Sequence, residues 1–273
     1  MAELPAGAAP ARSDASVVEV VHEGGANRRL RLRVPGWPGS RPGQFVMLSP
    51  GAHSAVPRFD PLLPRPMAVY RERADEVEVL LKVHGRGTAL LGEMRAGQTL
   101  RVVGPLGRGF DLPREGERAL IVAGGTGIAS VLGLAAGCAA GAGPAPLVLL
   151  GARSAEDLMG EEDFAALGVP LRIATEDGSR GERGLVTALL ARALAEAGAQ
   201  RVYVCGPTPM MARVAALAAD GGRPCSASLE NPMACGFGVC LGCAAPLRAG
   251  GFELVCRDGP VFDAARIAWE GLA

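Results

Sequence analysis

Short apolar runs, some interrupted by single polar or charged residues, recur along the chain from residue 17 to about residue 112. Each run has the length of a β-strand, and glycine and proline separate one run from the next. Regularly spaced short strands with turn signals are typical of a small antiparallel barrel. The runs are VVEVV, LRLRV, QFVML, MAVYR, VEVLLKV and TLRVVG. The pattern predicts a β-barrel domain over residues 17–113, preceded by an Ala/Pro-rich tail, residues 1–16, that we expect to be disordered.

The pattern changes after LPREGER, residues 112–118, which we interpret as a linker. Apolar runs of strand length now alternate with helical segments, and this order predicts a doubly wound parallel sheet of α/β class over residues 114–222. Ligands of such sheets bind outside the carboxyl ends of the strands. The four strand-like runs are ALIVAGG, PLVLLGAR, LRIATEDG and RVYVCGP.

The last segment, residues 223–273, loses this alternation and carries four of the seven cysteines. Cys235, Cys240, Cys243 and Cys256 have the spacing C-x4-C-x2-C-x12-C, whose first part is that of plant-type two-iron clusters. Zinc also binds four cysteines, but its sites usually consist of two separated C-x2-C pairs. The spacing therefore favours a small C-terminal [2Fe-2S] domain, with structural zinc as the alternative.

Two glycine-containing turns mark the carboxyl ends of predicted strands. IVAGGTGIASV, residues 121–131, has the order strand, glycine turn and helix, and amides at a helix N-terminus bind phosphate. CGP follows the fourth strand, where a nicotinamide would lie, and Asp177 or Ser179 is a candidate to bind a ribose. Each motif alone is also compatible with an ordinary turn, but together they predict dinucleotide binding. The candidate residues are Gly124, Gly125, Thr126, Gly127, Asp177, Cys205, Gly206 and Pro207.

The barrel has its own candidate for an anion site. Arg65 precedes a proline on a predicted strand, and a Gly-x-Gly-Thr turn, residues 85–88, precedes a predicted helix. An arginine beside a helix N-terminus headed by Thr88 would hold a pyrophosphate. A surface arginine on an ordinary barrel is the alternative.

Composition narrows the class of protein. Lys and Arg total 28, as do Asp and Glu, so the net charge of zero gives no electrostatic argument for nucleic acid or an anionic membrane. No run of apolar residues has the length of a membrane span, and the first residues lack the order of a signal peptide. We expect a cytoplasmic protein with no membrane association.

These motifs, in this order, resemble the ferredoxin reductase superfamily. The segment SLENPMACGFGVCLGC, followed by VCRDGPVF, narrows the resemblance to the iron–sulfur, FAD-containing electron-transfer subunits of NAD-dependent dihydroorotate dehydrogenases. The resemblance covers essentially the whole chain after the tail.

The resemblance implies that the barrel holds FAD, that the α/β domain holds NAD, and that the four cysteines hold the [2Fe-2S] cluster. One departure concerns Ala68, where the family usually has a serine that can reach the reactive edge of the flavin. The positions that match the flavin contacts of the family are Arg65, Pro66, Met67, Ala68, Leu80, Leu81, Lys82, Gly87 and Thr88.

The resemblance also implies a partner and a route. A catalytic subunit oxidises dihydroorotate on its own FMN, as part of pyrimidine biosynthesis, and electrons pass through the cluster and FAD to NAD⁺. Two catalytic and two electron-transfer subunits then form a heterotetramer. Two alternatives stay open: a similar subunit of a sulfhydrogenase or of an NADH-dependent ferredoxin:NADP oxidoreductase, and a zinc-stapled interaction module without flavin.

Overall fold

The computed structural model describes residues 9–50, 63–196, 198 and 200–272. Its first part is a closed barrel of six antiparallel strands, in the order β1-β2-β5-β4-β3-β6. A short helix, α1 (Arg86–Gly92), lies between β5 and β6 in the chain. The strands are β1 (Ala11–His22), β2 (Asn27–Arg33), β3 (Phe45–Ser49), β4 (Arg65–Arg73), β5 (Glu76–Lys82) and β6 (Thr99–Leu106).

The barrel forms because alternate side chains of its strands meet in one apolar interior. Leu30 and Leu32 of β2, with Val77 and Val79 of β5, are completely buried there. The predicted tail extends too far, because β1 begins at Ala11 and pairs with β6 from Ala11 through residue 16. Backbone hydrogen bonding closes the barrel at these polar residues, and residues 1–8 of the predicted tail lie outside the described part.

The second part is a seven-stranded sheet in the order β10-β9-β8-β7-β11-β12-β15. Its central strands are parallel and buried on both faces by helices, as the continuous apolar runs require. The strands are β7 (Ala119–Gly124), β8 (Leu147–Ala152), β9 (Leu171–Thr175), β10 (Glu182–Arg183), β11 (Arg201–Cys205), β12 (Cys225–Ser228) and β15 (Val261–Asp263). The helices are α2 (Ile128–Ala140), α3 (Glu161–Ala166), α4 (Val186–Glu196) and α5 (Thr208–Asp220).

The sheet continues past the domain boundary that the sequence predicted at residue 222. Strand β12 pairs in parallel with β11, and β15 adds to β12 in the antiparallel direction. The C-terminal segment, residues 223–273, is therefore joined to the sheet by two strands of its own, β12 and β15. A hairpin of β13 (Ala244–Pro246) and β14 (Phe252–Leu254) lies between these two strands in the chain. No helix in the described ranges is both long enough and apolar enough to cross a bilayer.

A cluster of polar side chains joins the barrel to the α/β part. The buried Tyr70 of β4 donates a hydrogen bond to Asp163 of α3, and Arg71 forms an ion pair with the same carboxylate at 2.5 Å. Arg29 of β2 lies 3.5 Å from Asp163. Burial raises the pKa of Tyr70, and the hydrogen bond to Asp163 raises it further by a smaller amount. The cluster fixes the barrel against the sheet.

We expect Tyr70→Phe to lower the free energy of unfolding by about 1 kcal/mol, because Asp163 loses a buried hydrogen bond. Since the folded pKa of Tyr70 is raised, the stability linked to its proton is complete below its ordinary pKa and declines as the pH rises above about 10. Denaturant unfolding at about pH 8 and about pH 11 measures both effects. A wild-type chain that loses no more stability than Tyr70→Phe between these two values would contradict the assignment.

Candidate functional site

Two cavities lie on either side of a narrow partition between the barrel and the sheet. The first has a volume of about 490 Å³ and is bounded by β4 and β5 of the barrel, by the start of α2 and by the segment after β12. Seven of the nine predicted flavin contacts line it: Pro66, Met67, Ala68, Leu80, Leu81, Lys82 and Thr88. Its walls are mostly apolar with a few polar groups, as a pocket for a flavin ring requires.

The other two predicted contacts, Arg65 and Gly87, touch each other beside this cavity. A Cβ atom added at Gly87 would lie 2.3 Å from Nε of Arg65, so the guanidinium rests directly on the first turn of α1. Thr88 is the third residue of the helix and not its head. Its hydroxyl accepts from the amide of Gly85 at 3.2 Å and so caps the helix. The residues fit a diphosphate held between a guanidinium and helix amides.

We expect Gly87→Ala to weaken the binding of FAD at least about tenfold, because the new methyl group displaces the Arg65 guanidinium from the helix. Equilibrium titration of the flavin-free chain with FAD measures the change. Gly85→Ala is a matched control, since a Cβ atom there meets no atom within 4 Å. Equal loss of affinity in both variants would show that the contact between Arg65 and Gly87 has no special role.

The second cavity, of about 610 Å³, lies at the carboxyl ends of the parallel strands. Gly124, Gly125, Thr126 and Pro207 line it, while Gly127 and Gly206 pack the surrounding turns together. A Cβ atom at Gly127 would lie 2.5 Å from the carbonyl carbon of Cys205, and one at Gly206 would lie 2.6 Å from Cε of Met210. The glycine turn therefore lets α2 begin directly against the end of β11.

The structure places Asp177 differently from the sequence prediction. Its carboxylate accepts hydrogen bonds from the amide and hydroxyl of Ser179, at 3.0 and 2.6 Å, and it does not line the cavity. These bonds lower the pKa of Asp177. The preceding residue, Glu176, lines the cavity in its place. The turn after β9 decides which of two adjacent carboxylates faces the cavity.

Three residues line both cavities and form the partition: Lys82, Thr126 and Glu230. The Glu230 carboxyl is accessible from the cavities and surrounded by protein beyond them, and this burial raises its pKa. The Cys205 thiol approaches Oε1 of Glu230 at 3.9 Å. Cys205 itself is completely buried behind the partition, and burial, followed by the charge of Glu230, raises its pKa. Its thiol is therefore protonated.

The four predicted cluster ligands come together in two pairs. The Cys235 side chain hydrogen-bonds to Cys240, and the Cys256 side chain hydrogen-bonds to Cys243. The amide of Cys256 also donates to Sγ of Cys243 at 3.4 Å. Burial opposes ionisation of Cys235, but hydrogen bonds that include the amides of Cys240, Phe237 and Val239 outweigh it and lower its pKa to about 6. Amides directed at thiolates are the environment that iron–sulfur clusters use.

This pairing suits a two-iron cluster. A two-iron cluster spreads its four thiolates over two metals, and two pairs of cysteines meet that need.

The cluster loop is packed against the barrel close to the first cavity. Gly236 has φ +85°, and a Cβ atom there would lie 2.5 Å from Cγ of Met47 in β3. Met233 lines the first cavity and Cys235 follows two residues later, a distance of at most about 7 Å along the chain. The cysteines therefore lie next to the proposed flavin pocket.

The outer side of this loop is apolar and exposed. Contiguous apolar side chains exposed on a protein surface mark sites of interaction with a partner. The exposed fractions are 57% for Phe237, 74% for Val239 and 63% for Leu241. Cys240 is exposed in the same region. A partner that docks here would cover the thiol that lies nearest to solvent.

Comparison with known proteins agrees with this geometry. Residues 230–268 match the family model of the iron–sulfur cluster binding domain of dihydroorotate dehydrogenase B, and residues 121–216 match that of the oxidoreductase NAD-binding domain. The chain is 37% identical over 251 residues to the electron transfer subunit of dihydroorotate dehydrogenase B (NAD(+)) from Caldanaerobacter subterraneus, covering 89% of this chain and 95% of the relative. It belongs to this family of electron transfer subunits. The subunit from Desulforamulus reducens is 35% identical and covers 84% of this chain and 87% of its own.

Solved structures show the same fold. A chain of the NADH-dependent reduced ferredoxin-NADP oxidoreductase superposes with a TM-score of 0.83 at 26% identity, covering 100% of this chain and 93% of that one. The ferredoxin reductase of carbazole 1,9a-dioxygenase has a TM-score of 0.67 at 22% identity, covering 79% of this chain and 67% of that one. The family is thus an oxidoreductase family with the ferredoxin reductase fold, and it uses FAD, NAD and an iron–sulfur cluster.

Several residues at the site were not predicted from the sequence. The only sequence signal for Glu230 is its place in SLENPMAC, the segment that ends at Cys235. Asp157 and Glu176 lie in loops with many charged residues, where the sequence alone does not show which ones face a cavity. Ser130 and Ser228 are buried and line the first cavity.

Proposed function

We propose that this chain passes electrons from a catalytic subunit that oxidises dihydroorotate, through a [2Fe-2S] cluster and FAD, to NAD⁺. The observation that carries the proposal is the spatial order of three adjacent sites. A flavin-sized cavity shares a wall with a dinucleotide cavity on one side and leads into four paired cysteines on the other. A cluster carries one electron at a time, a nicotinamide takes two, and a flavin can exchange electrons with both.

The residues of this chain divide the work. Arg65 and the first turn of α1 would hold the diphosphate of FAD, and β4 and β5 would hold its ring. The glycine turn, residues 124–127, would hold the diphosphate of NAD, while Pro207 and Glu230 would border its nicotinamide. Cys235, Cys240, Cys243 and Cys256 would bind the two irons. Lys82, Thr126 and Glu230 border both cavities, so the two ligands would meet there.

The catalytic partner would dock on the apolar surface of the cluster loop, formed by Phe237, Val239 and Leu241. We propose that the partner carries FMN and that the complex is a heterotetramer of two catalytic and two electron-transfer subunits, as the family resemblance implies. We also place the complex in the cytoplasm, a proposal supported by cysteines that would serve as cluster ligands or remain as buried free thiols.

Anaerobic purification, followed by an absorption spectrum and assays of iron, sulfide and flavin, tests the proposal. About two irons, two sulfides and one FAD per chain are expected. NADH should then bleach the flavin, and dihydroorotate should do so only when the catalytic subunit is present. A colourless chain that contains zinc would exclude electron transfer, and flavin without iron would leave a simple flavin reductase.

A further inference from the structure

Charged side chains line the second cavity where it passes over the carboxyl ends of β8 and β9, and the role assigned to them here rests on the proposed function. Hydride transfer requires the nicotinamide to lie at the partition, next to the flavin. The rest of the dinucleotide must then pass the glycine turn and extend over the carboxyl ends of β8 and β9. Arg153, Asp157 and Glu176 line the cavity there. These three side chains therefore surround the adenosine end of the ligand.

Two arginines line this cavity, Arg153 after β8 and Arg213 of α5, and a carboxylate already holds Arg153. Its Nε donates to Oδ2 of Asp157 at 3.1 Å. The other oxygen of Asp157 accepts from Nζ of Lys82 at 2.5 Å, and Lys82 belongs to the barrel. The two cations, Lys82 first, lower the pKa of Asp157. The carboxylate is therefore ionised and directs Arg153 toward the contact between barrel and sheet.

Glu176 presents its charge to the cavity without compensation. Its amide donates to the carbonyl of Ala152 at 3.1 Å, and the amide of Asp177 donates to the carbonyl of Arg153 at 3.2 Å. These two bonds fix the turn after β9 beside Arg153. Among the described residues, no cation forms an ion pair with the Glu176 carboxylate. A carboxylate in this place can accept hydrogen bonds from ribose hydroxyls and repels a phosphate.

We propose that Glu176 and Asp157 together make this site select NAD over NADP. Glu176 binds the ribose hydroxyls of the adenosine and repels a 2′-phosphate. Asp157 acts as a positioning residue, because it holds the guanidinium of Arg153 that would otherwise bind that phosphate. The cofactor preference is thus set by one carboxylate that faces the ligand and by a second that occupies the nearest arginine.

The test is calorimetric titration of the complete subunit, with FAD and cluster bound, by NAD⁺ and by NADP⁺. Neither ligand turns over in the absence of a reductant, so the readout is the dissociation constant. The wild type should bind NAD⁺ more tightly. Glu176→Gln and Asp157→Asn should each shift the ratio of the two constants toward NADP⁺ at least about fivefold. Asp177→Asn, whose carboxylate lies off the cavity, should shift it less than about twofold.

A double variant separates positioning from a general loss of structure. In Asp157→Asn the gain for NADP⁺ should come from the released Arg153, so adding Arg153→Ala should remove it. Asp157→Asn that gains nothing, or a gain that survives Arg153→Ala, would overturn the role of Asp157. An unchanged ratio in Glu176→Gln, or a wild type that prefers NADP⁺, would overturn the role of Glu176. A wild type that binds neither dinucleotide would instead refute the proposed function itself.

Discussion

Replacing Cys240 by alanine is expected to remove the iron–sulfur cluster and to leave the flavin in place. Each iron of a two-iron cluster depends on two thiolates, and Cys240 forms one of the two pairs with Cys235. Cys240 is exposed, whereas Cys243 and Cys256 are buried in the apolar core. Its replacement therefore removes a ligand without opening a cavity, and the chain should fold as before.

The consequence for function is a separation of two activities. Reduction of the flavin by NADH uses only the two cavities and should continue. Transfer of electrons from dihydroorotate to NAD⁺, with the catalytic subunit present, should fall at least about a hundredfold, because the path between the subunits has lost its one-electron carrier. Assays of iron, sulfide and flavin on the same sample connect the loss of activity to the loss of the cluster.

Cys138→Ala is the matched control for this variant. Cys138 is buried in α2, far along the chain from the four ligands, and burial raises the pKa of its thiol to about 11. It is expected to keep iron, sulfide, flavin and both activities. A Cys240→Ala chain that retains its iron would contradict the ligand assignment. One that loses iron but still carries electrons from dihydroorotate to NAD⁺ at full rate would contradict the proposed route.

The hydrophobic pattern of the sequence predicted the barrel and the central strands well. Strands buried on one face and strands buried on both faces each have a distinct pattern of apolar residues. It failed where backbone pairing alone makes the strand. ARSDAS, residues 11–16, is polar and resembles a tail, yet it hydrogen-bonds to β6 along its length. CSAS, residues 225–228, has only small side chains, yet it extends the parallel sheet. Neither segment has an apolar run that reveals its place.

The candidate site shows the same division. Local motifs lead to the glycine turn and to Arg65 with Gly87, since a turn and a helix start are local structures. The choice between Asp177 and Glu176 depends on how one turn is anchored to the strand beside it, which is a tertiary contact. The roles of Glu230 and Asp157 depend on the contact between the barrel and the sheet. Each faces residues more than 70 positions away in the chain, such as Lys82, so the sequence does not reveal these roles.

Glu230→Gln is expected to slow the transfer of hydride between the bound nicotinamide and the flavin about a hundredfold, the usual contribution of a positioned acid or base. Two-electron reduction of a flavin takes up a proton. Among the described residues, Glu230 is the only carboxyl that lines both cavities, and its proton can be held on the oxygen opposite Cys205. Glutamine keeps the shape and the hydrogen bonds of this side chain but holds no exchangeable acid proton.

The pH dependence and the stability of this variant test the explanation independently of the rate. Burial raises the folded pKa of Glu230 above its ordinary value of 4.5, so the stability linked to its proton is complete below that value and is lost as the pH rises through the raised pKa. At neutral pH, Glu230→Gln should therefore unfold at higher denaturant concentration than the wild type while it transfers hydride more slowly. Stopped-flow reduction of the flavin by NADH, measured from below pH 4.5 to neutral pH, should show a titration of the rate in the wild type that the variant lacks.

Glu253→Gln, which removes a surface carboxylate paired with Arg266 at 2.5 Å, is the control and should change neither the rate nor its pH profile. A variant that is slow but keeps the wild-type titration would show that Glu230 positions the ligands and does not supply the proton.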